Sequence, residues 1–261
     1  MTERARSFGS VAAAYERFRL GYPDDLVDEV LAYAGRPVRA ALEIGAGTGK
    51  ATRAFAARGI AVTATDPDAE MLAELRRHVP TSVTVLQAAF EDLPLDPAFD
   101  LVFAAASFHW TDIDGRWPRV AALLTAQGVF ASFGGQLHLA DAALADTVRT
   151  VRSPYLGDDE VPTPDGSVVD TGPGSGSDSP MQWPGSELSD SGLFTDVRQS
   201  VIERRLALTS AEYVAHLGTI SAYLMLPQRT RHEVLDRILE VLPDVVELDS
   251  DLTLHLARRR S

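Results

Sequence analysis

The chain has 261 residues, 45% of them hydrophobic, no cysteine, and 24 Lys and Arg against 37 Asp and Glu for a net charge of −13. That composition suffices for the core of one enlarged α/β domain or two small ones, rules out disulfides and thiolate chemistry, and sets up a field that repels phosphate backbones, so nucleic acid is not an expected partner. No run reaches the roughly 18 apolar residues of a membrane span, and no apolar signal segment follows Met1–Ser7, so a cytoplasmic protein without a membrane partner is expected.

Residues 5 to 34 read as helical, interrupted near Gly21-Tyr22-Pro23, with a helix-period stripe at Leu26, Val27, Val30, Leu31 and Ala34. A strand at Ala40–Ile44 then runs into Gly45-Ala46-Gly47-Thr48-Gly49, and a helix begins at Lys50 and ends at Arg58. Glycines so spaced let the backbone turn sharply and approach a ligand, and the free N–H groups of a following helix attract anionic or polar groups. A phosphate-binding P-loop fails in register, because Ile44 stands where the first glycine belongs and Ala51 replaces the magnesium-binding hydroxyl. A dinucleotide fingerprint fits better, although its third glycine comes one residue early.

A strand at Ala61–Thr65 ends at Asp66-Pro67, and a helix follows at Ala69–His78. Asp66 suits either a pair of ribose hydroxyls or the N-cap of that helix. Strands at Val83–Ala88 and Phe99–Ala104, a helix at Gly115–Leu124 and a strand at Gly128–Phe133 continue the alternation, which implies parallel βαβ units. Beyond Gly134-Gly135 come a helix at Ala140–Val151 and a Gly/Ser/Asp/Pro-dense stretch from Ser153 to Gly192, expected to be a lid that is flexible over 153–180. A strand at Val197–Leu206, a helix at Ser210–Leu224 capped by Ser210, a helix at Arg229–Leu242 and an alternating strand at Thr253–Arg259 complete the reading.

The run Leu42-Glu43-Ile44-Gly45-Ala46-Gly47-Thr48-Gly49 resembles the cofactor motif of class I S-adenosylmethionine-dependent methyltransferases. Four further stretches resemble the small-molecule branch of that family, near its trans-aconitate methyltransferase-like members. They are Phe8 to Pro23, Glu91 to Leu95, Phe99 to Trp110 with its His-Trp ending, and Gly192 to Arg231. The resemblance implies a Rossmann-like, doubly wound α/β sheet, mostly parallel with an antiparallel C-terminal strand, plus a helical cap and a flexible lid. The expected division is a cap at 1–36, a cofactor-binding core at 37–137, a lid insertion at 138–195 and a C-terminal part at 196–261.

The same resemblance assigns roles. Gly45, Ala46, Gly47 and Gly49 would line the methionine and ribose of S-adenosyl-L-methionine, which leaves as S-adenosyl-L-homocysteine. Glu43 would sit by the methionine ammonium with the backbone of Ala105 and Ala106, Asp66 and Pro67 by the ribose, Phe90 and Glu91 by the adenine, and Tyr15 and Arg19 by the methionine carboxylate. Ala89 stands where the family often carries an acid against the adenine amino group.

The sulfonium is already an activated methyl donor, so the chain has to align an acceptor and, for some acceptors, remove a proton. His109 is the candidate base, because it follows a core strand at the end where open α/β sheets bind ligands. Phe18, Tyr22, His109, Trp110, Thr219, Ser221 and Tyr223 are the candidate residues around a small-molecule substrate. The histidines show no metal-ligand spacing with acids, so no metal is expected. A monomer or homodimer serving specialised metabolism is expected. A nicotinamide-dependent oxidoreductase and a cofactor-binding relative that transfers no methyl group remain alternatives.

Overall fold

The computed structural model describes residues 8–95, 99–156 and 180–260. Its main sheet has seven strands in the order β3-β2-β1-β4-β5-β10-β7, built from β1 (Ala40–Ile44), β2 (Ala61–Asp66), β3 (Thr84–Gln87), β4 (Phe99–Ala105), β5 (Leu124–Gly134), β7 (Phe194–Ile202) and β10 (Leu252–Arg259). Strands β1 to β5 pair in parallel, while β10 lies antiparallel between β5 and β7. This is the expected doubly wound sheet with its antiparallel C-terminal strand. Apolar runs such as Leu101-Val102-Phe103 are fully buried because helices cover both faces, as parallel sheets require. Each such side chain contributes roughly 1.5–3 kcal/mol of burial.

Helices α2 (Asp24–Ala34) and α3 (Lys50–Ala56) cover one face, and α5 (Arg116–Leu123) and α7 (Gly185–Asp190) cover the other. The strand order reverses between β1 and β4, which opens a crevice at their carboxyl ends. Helix α4 (Ala69–His78) is capped by Asp68, whose Oδ1 accepts from the Glu70 and Met71 N–H groups at 2.9 and 3.2 Å. Asp66 is therefore not the N-cap and is left to the crevice.

The C-terminal part departs from the expectation. The single strand at Val197–Leu206 is two strands: β7 stays in the main sheet, and the chain crosses at Glu203-Arg204 into β8 (Arg205–Thr209). Strand β8 joins β6 (His138–Leu139) and β9 (Val245–Asp249) in a second, antiparallel sheet of order β6-β9-β8. Its apolar side packs on α6 (Ala142–Leu156), α8 (Ser210–Leu217), α9 (Ser221–Leu224) and α10 (Gln228–Val241). The expected helix at Ser210–Leu224 is thus broken at Gly218-Thr219-Ile220. Its cap is Thr209, in a capping box with Glu212, while the Ser210 hydroxyl donates to the Pro243 carbonyl. The end of α6 and all of α7 occupy parts of the stretch read as a loop; residues 157–179 of the expected lid lie outside the described residues.

At the N-terminus, α1 (Ala12–Phe18) packs against both α4 and α8. It bridges the core to the second sheet's helices across the mouth of the crevice.

Candidate active site

Strand β1 delivers the chain to the crevice, and five residues turn it into α3. Gly45, Gly47 and Gly49 have φ of +65°, +55° and +84°, a left-handed region that glycine enters without a Cβ penalty. At Gly45 packing also excludes a side chain, since an added Cβ would lie 2.6 Å from Ser107 Cβ. The Ser107 hydroxyl donates to the Ile44 carbonyl at 2.5 Å and so ties the tips of β1 and β4 together. Ala106 holds φ +51° without being glycine, a strained conformation of the kind found at ligand sites.

Two adjoining cavities of about 750 and 710 Å³, open to solvent, flank this turn, both walled by Tyr15, Gly45, Gly47, Ala105 and Ala106. Asp66, Pro67, Phe90, Glu91 and Trp110 line the first. Asp66 is 8% exposed; its Oδ2 accepts from the Gly47 N–H and its Oδ1 from the Asp68 N–H, both at 2.9 Å. Those bonds aim a carboxylate with spare lone pairs into the cavity. Burial pushes its pKa up to about 6, against the lowering effect of the two N–H donors, so it is ionised at neutral pH. Phe90 and Glu91 sit on a 3₁₀ turn whose carbonyls the Arg119 guanidinium clasps, at 2.8 Å from Phe90 O and 2.7 Å from Leu93 O. The Glu91 carboxylate accepts from the Asp112 N–H at 2.8 Å, which stitches the wall to the segment after Trp110.

The second cavity holds Glu43, Tyr22, Arg19, Lys50, Arg204 and His216. Glu43 is 1% exposed. Its carboxyl accepts from the Thr52 hydroxyl at 2.5 Å, and burial raises its pKa to about 8. The Arg53 charge offsets only part of that shift, and Glu43 makes no ion pair among the described residues. Beside it the Thr48 hydroxyl is buried without a hydrogen-bond partner. Arg19 is braced by the Thr219 hydroxyl (2.8 Å) and carbonyl (3.1 Å) and lies 5.2 Å from the Tyr15 ring centre. The Tyr22 hydroxyl is surrounded by Tyr15, Glu43, Arg19 and Arg204, and its pKa is pushed upward chiefly by burial. His216 Nδ1 lies 3.2 Å from the Phe18 carbonyl; a carbonyl only accepts, so Nδ1 carries the proton and Nε2 keeps the lone pair. Burial first, then Arg19, lowers the pKa of this imidazole to about 3.

The structure gathers Tyr15, Arg19, Glu43, Gly45, Ala46, Gly47, Asp66, Pro67, Phe90, Glu91, Ala105, Tyr22 and Trp110 around the two cavities. Gly49 lines neither: its missing Cβ would stand 2.9 Å from Leu75 Cγ, so it serves the packing of α3 on α4. His109 also lines neither, its ring lying 4.5 Å from that of Trp110. The histidine that lines the second cavity is His216, which the strand-end argument passed over because it sits on a late helix. Phe18, Thr219, Ser221 and Tyr223 stand behind the walls: Phe18 and Thr219 position His216 and Arg19, and Tyr223 is buried in the C-terminal core. Sequence reasoning also missed Arg204, Gln136 and Ser250, which carry no local motif and enter from the crossings between the sheets.

The residues present fit S-adenosylmethionine: a buried carboxyl without an ion pair among the described residues for an ammonium, an aimed carboxylate for ribose hydroxyls, and a turn that presents no Cβ at Gly45 and Gly47. A methyltransferase-domain family model matches residues 42–132. Uncharacterized methyltransferases of Mycobacterium bovis and Mycobacterium tuberculosis are each 33% identical over 237 residues, 90% of this chain and 85% of the relative. A proposed type II methyltransferase from Anaeromyxobacter dehalogenans superposes with a TM-score of 0.60 at 24% identity, over 92% of this chain and 98% of that one. A Haemonchus contortus phosphoethanolamine N-methyltransferase, solved with phosphomonomethylethanolamine and S-adenosylhomocysteine, does so at 0.53 and 16%, over 98% of this chain and 60% of that one. With a relative of that identity along nine-tenths of its length, and with this glycine turn at the switch point of this sheet, the chain belongs to the class I S-adenosylmethionine-dependent methyltransferases, enzymes of class EC 2.1.1.-.

Proposed function

We propose that this methyltransferase acts on a small organic acceptor held in the cavity between the glycine turn and the second sheet. The observation that carries the reading is the pair of adjoining cavities with a shared wall at Tyr15, Gly45, Gly47, Ala105 and Ala106. One has the groups for an adenosine, and the other continues past the methionine end into a space of about 710 Å³. When bound, the cofactor supplies a sulfonium-activated methyl group.

In this reading Asp66 holds the ribose hydroxyls and Phe90 walls the adenine. Glu43 holds the methionine ammonium, and Arg19, braced by Thr219, holds the carboxylate. Tyr22 and His216 face the acceptor. His216, neutral and fixed at Nδ1, accepts a hydrogen bond at Nε2 from an acceptor hydroxyl or amine and orients its lone pair along the line of displacement. Such alignment can contribute roughly 7–11 kcal/mol in favourable cases. Helix α1, closing over the crevice from α4 to α8, excludes water. With this reading go a role in specialised metabolism, a cytoplasmic location and a monomeric or homodimeric state.

The test is incubation of the protein with methyl-labelled cofactor and fractionated cell extract, read by mass spectrometry. Label in a small-molecule fraction supports the reading. Label confined to protein or nucleic acid overturns it.

A further inference from the structure

The second cavity is a positive spot in a chain of net charge −13. Three cations line it: Arg19, Lys50 and Arg204. Lys50 is ion-paired with Glu16, which it shares with Arg53: its Nζ lies 3.6 Å from Oε2 and donates to the Glu16 carbonyl at 2.6 Å, while Arg53 lies 2.8 Å from Oε1. Glu43 is held largely protonated by burial at neutral pH. Arg19 and Arg204 make no ion pair among the described residues. Two half-buried guanidiniums without an ion pair among the described residues thus share one cavity.

The cofactor answers for one of them. S-adenosylmethionine has a single carboxylate, and its ammonium and sulfonium are both cations. Arg19 directly follows α1 and lies beside Tyr15, which walls both cavities, so it is the guanidinium at the methionine end.

Arg204 enters from elsewhere. It lies where the chain crosses from β7 to β8, and the neighbouring crossings hold its backbone. The Ser250 N–H donates to the Arg204 carbonyl at 2.8 Å, and the Arg204 N–H donates to Asp251 Oδ1 at 2.9 Å. Among the described residues its side chain makes one hydrogen bond, from Nη1 to the Gly21 carbonyl at 3.1 Å. Partial burial depresses its pKa beside the neutral Tyr22 phenol, and the nearby Asp251 carboxylate accepts from the Arg204 backbone N–H without forming an ion pair with the guanidinium. Most of a planar donor fork, the geometry that matches carboxylate or phosphate, is left for a ligand at the end away from the methionine.

We propose that the acceptor carries an oxyanion, carboxylate or phosphate, which docks on the Arg204 guanidinium at the seam between the two sheets, opposite the methyl donor. The proposal rests on the methyltransferase reading of this cavity. It makes Arg204 the residue that selects an anionic acceptor over its neutral isosteres, and an anion there also offsets the cofactor's own positive charge.

The test is isothermal titration of the full chain, saturated with S-adenosylhomocysteine, with succinate, neutral succinamide and inorganic phosphate as probes. The expected result is one-to-one binding of succinate or phosphate and none of succinamide; whichever anion binds tighter names the group. Arg204→Gln weakens that binding at least ten-fold, and Arg204→Lys, which keeps the charge and loses the fork, falls between. Arg205→Gln, at a neighbouring side chain 86% exposed, changes it less than two-fold. S-adenosylhomocysteine affinity stays within three-fold in all variants.

Binding of neither anion to the wild type overturns the proposal, as does an equal loss in Arg205→Gln, which marks an adventitious ion only. A matching loss of S-adenosylhomocysteine affinity in Arg204→Gln also overturns it, because Arg204 then holds the methionine carboxylate. Failure of the wild type to bind S-adenosylhomocysteine is a different result: it removes the cofactor reading itself, and the proposal with it. Thermal unfolding of each variant separates lost binding from lost fold.

Discussion

Glu43→Gln tests the cofactor site at its most perturbed group. Burial raises the Glu43 pKa from 4.5 to about 8 in the free protein. At pH 6 its carboxylate population is therefore about 1%, and ionising it to meet a cationic ammonium costs about 2.7 kcal/mol. Affinity for S-adenosylhomocysteine should rise about ten-fold per pH unit between pH 6 and 8, with close to one proton released per binding event at the acid end. Glu43→Gln keeps the shape and the hydrogen bond from Thr52 but cannot ionise. Its affinity should be flat across that range, proton release should vanish, and binding at pH 8 should be roughly 10- to 100-fold weaker, the cost of one charge-assisted bond.

The free protein should respond in the opposite sense. A carboxyl with a folded-state pKa raised from 4.5 to about 8 stabilises the fold below pH 4.5 and loses that contribution as pH rises toward 8. The variant should therefore be more stable than wild type at pH 8, by at most roughly 5 kcal/mol. Calorimetric titration at pH 6, 7 and 8 in two buffers of different ionisation enthalpy measures affinity and proton release together. A wild-type affinity that is constant over this range, with no proton released, refutes the pairing of Glu43 with the ammonium.

Asp66→Asn puts its amide NH2 against one of the Gly47 and Asp68 N–H groups and leaves one uncharged acceptor oxygen in place of two anionic ones, so S-adenosylhomocysteine binding should weaken roughly 10- to 100-fold; unchanged binding would place the ribose elsewhere. His216→Ala should lower turnover of an identified acceptor roughly 10-fold, the loss of one orienting hydrogen bond, whereas His109→Ala, outside both cavities, should leave it within a few-fold. The reverse ranking in a methyl-transfer assay makes His109, not His216, the histidine that meets the acceptor. His255, 3% exposed and 2.9 Å from Gln199 Oε1, has its pKa lowered by burial from 6.5 to about 4. Its contribution to stability is present above pH 6.5 and is lost as pH falls toward 4, on the order of 3 kcal/mol. Urea unfolding of His255→Gln between pH 4 and 7 should show a shallower acid loss than wild type, and an identical slope would remove His255 from the acid transition.

Much of the site was legible because its parts are local. The turn from Ile44 to Lys50 announces itself through glycines that only a left-handed backbone needs, and Asp66 through its place at the tip of the next strand. Helix Ala69–His78 is bounded as its apolar spacing requires. Where two local readings competed, as for Asp66 between cap and ligand contact, the neighbour Asp68 decided, because a helix N-terminus takes one capping side chain and Asp68 Oδ1 already accepts from two N–H groups.

The acceptor side was not legible in this way. Arg19 meets Thr219 across 200 residues of chain, and His216 meets Phe18 across 198. The helix pattern of Ser210–Leu224 could not show its break at Gly218, nor could a β-rich run show that the chain leaves one sheet for another at Arg204. Such choices depend on which surfaces are buried against each other. The sequence by itself determined the doubly wound sheet, its glycine turn and hence the methyl donor, because alternation, turn chemistry and capping act within a few residues. Only the tertiary structure decided which histidine and which arginines line the second cavity, because those side chains reach it from the crossings of distant strands and helices, where packing sets their partners.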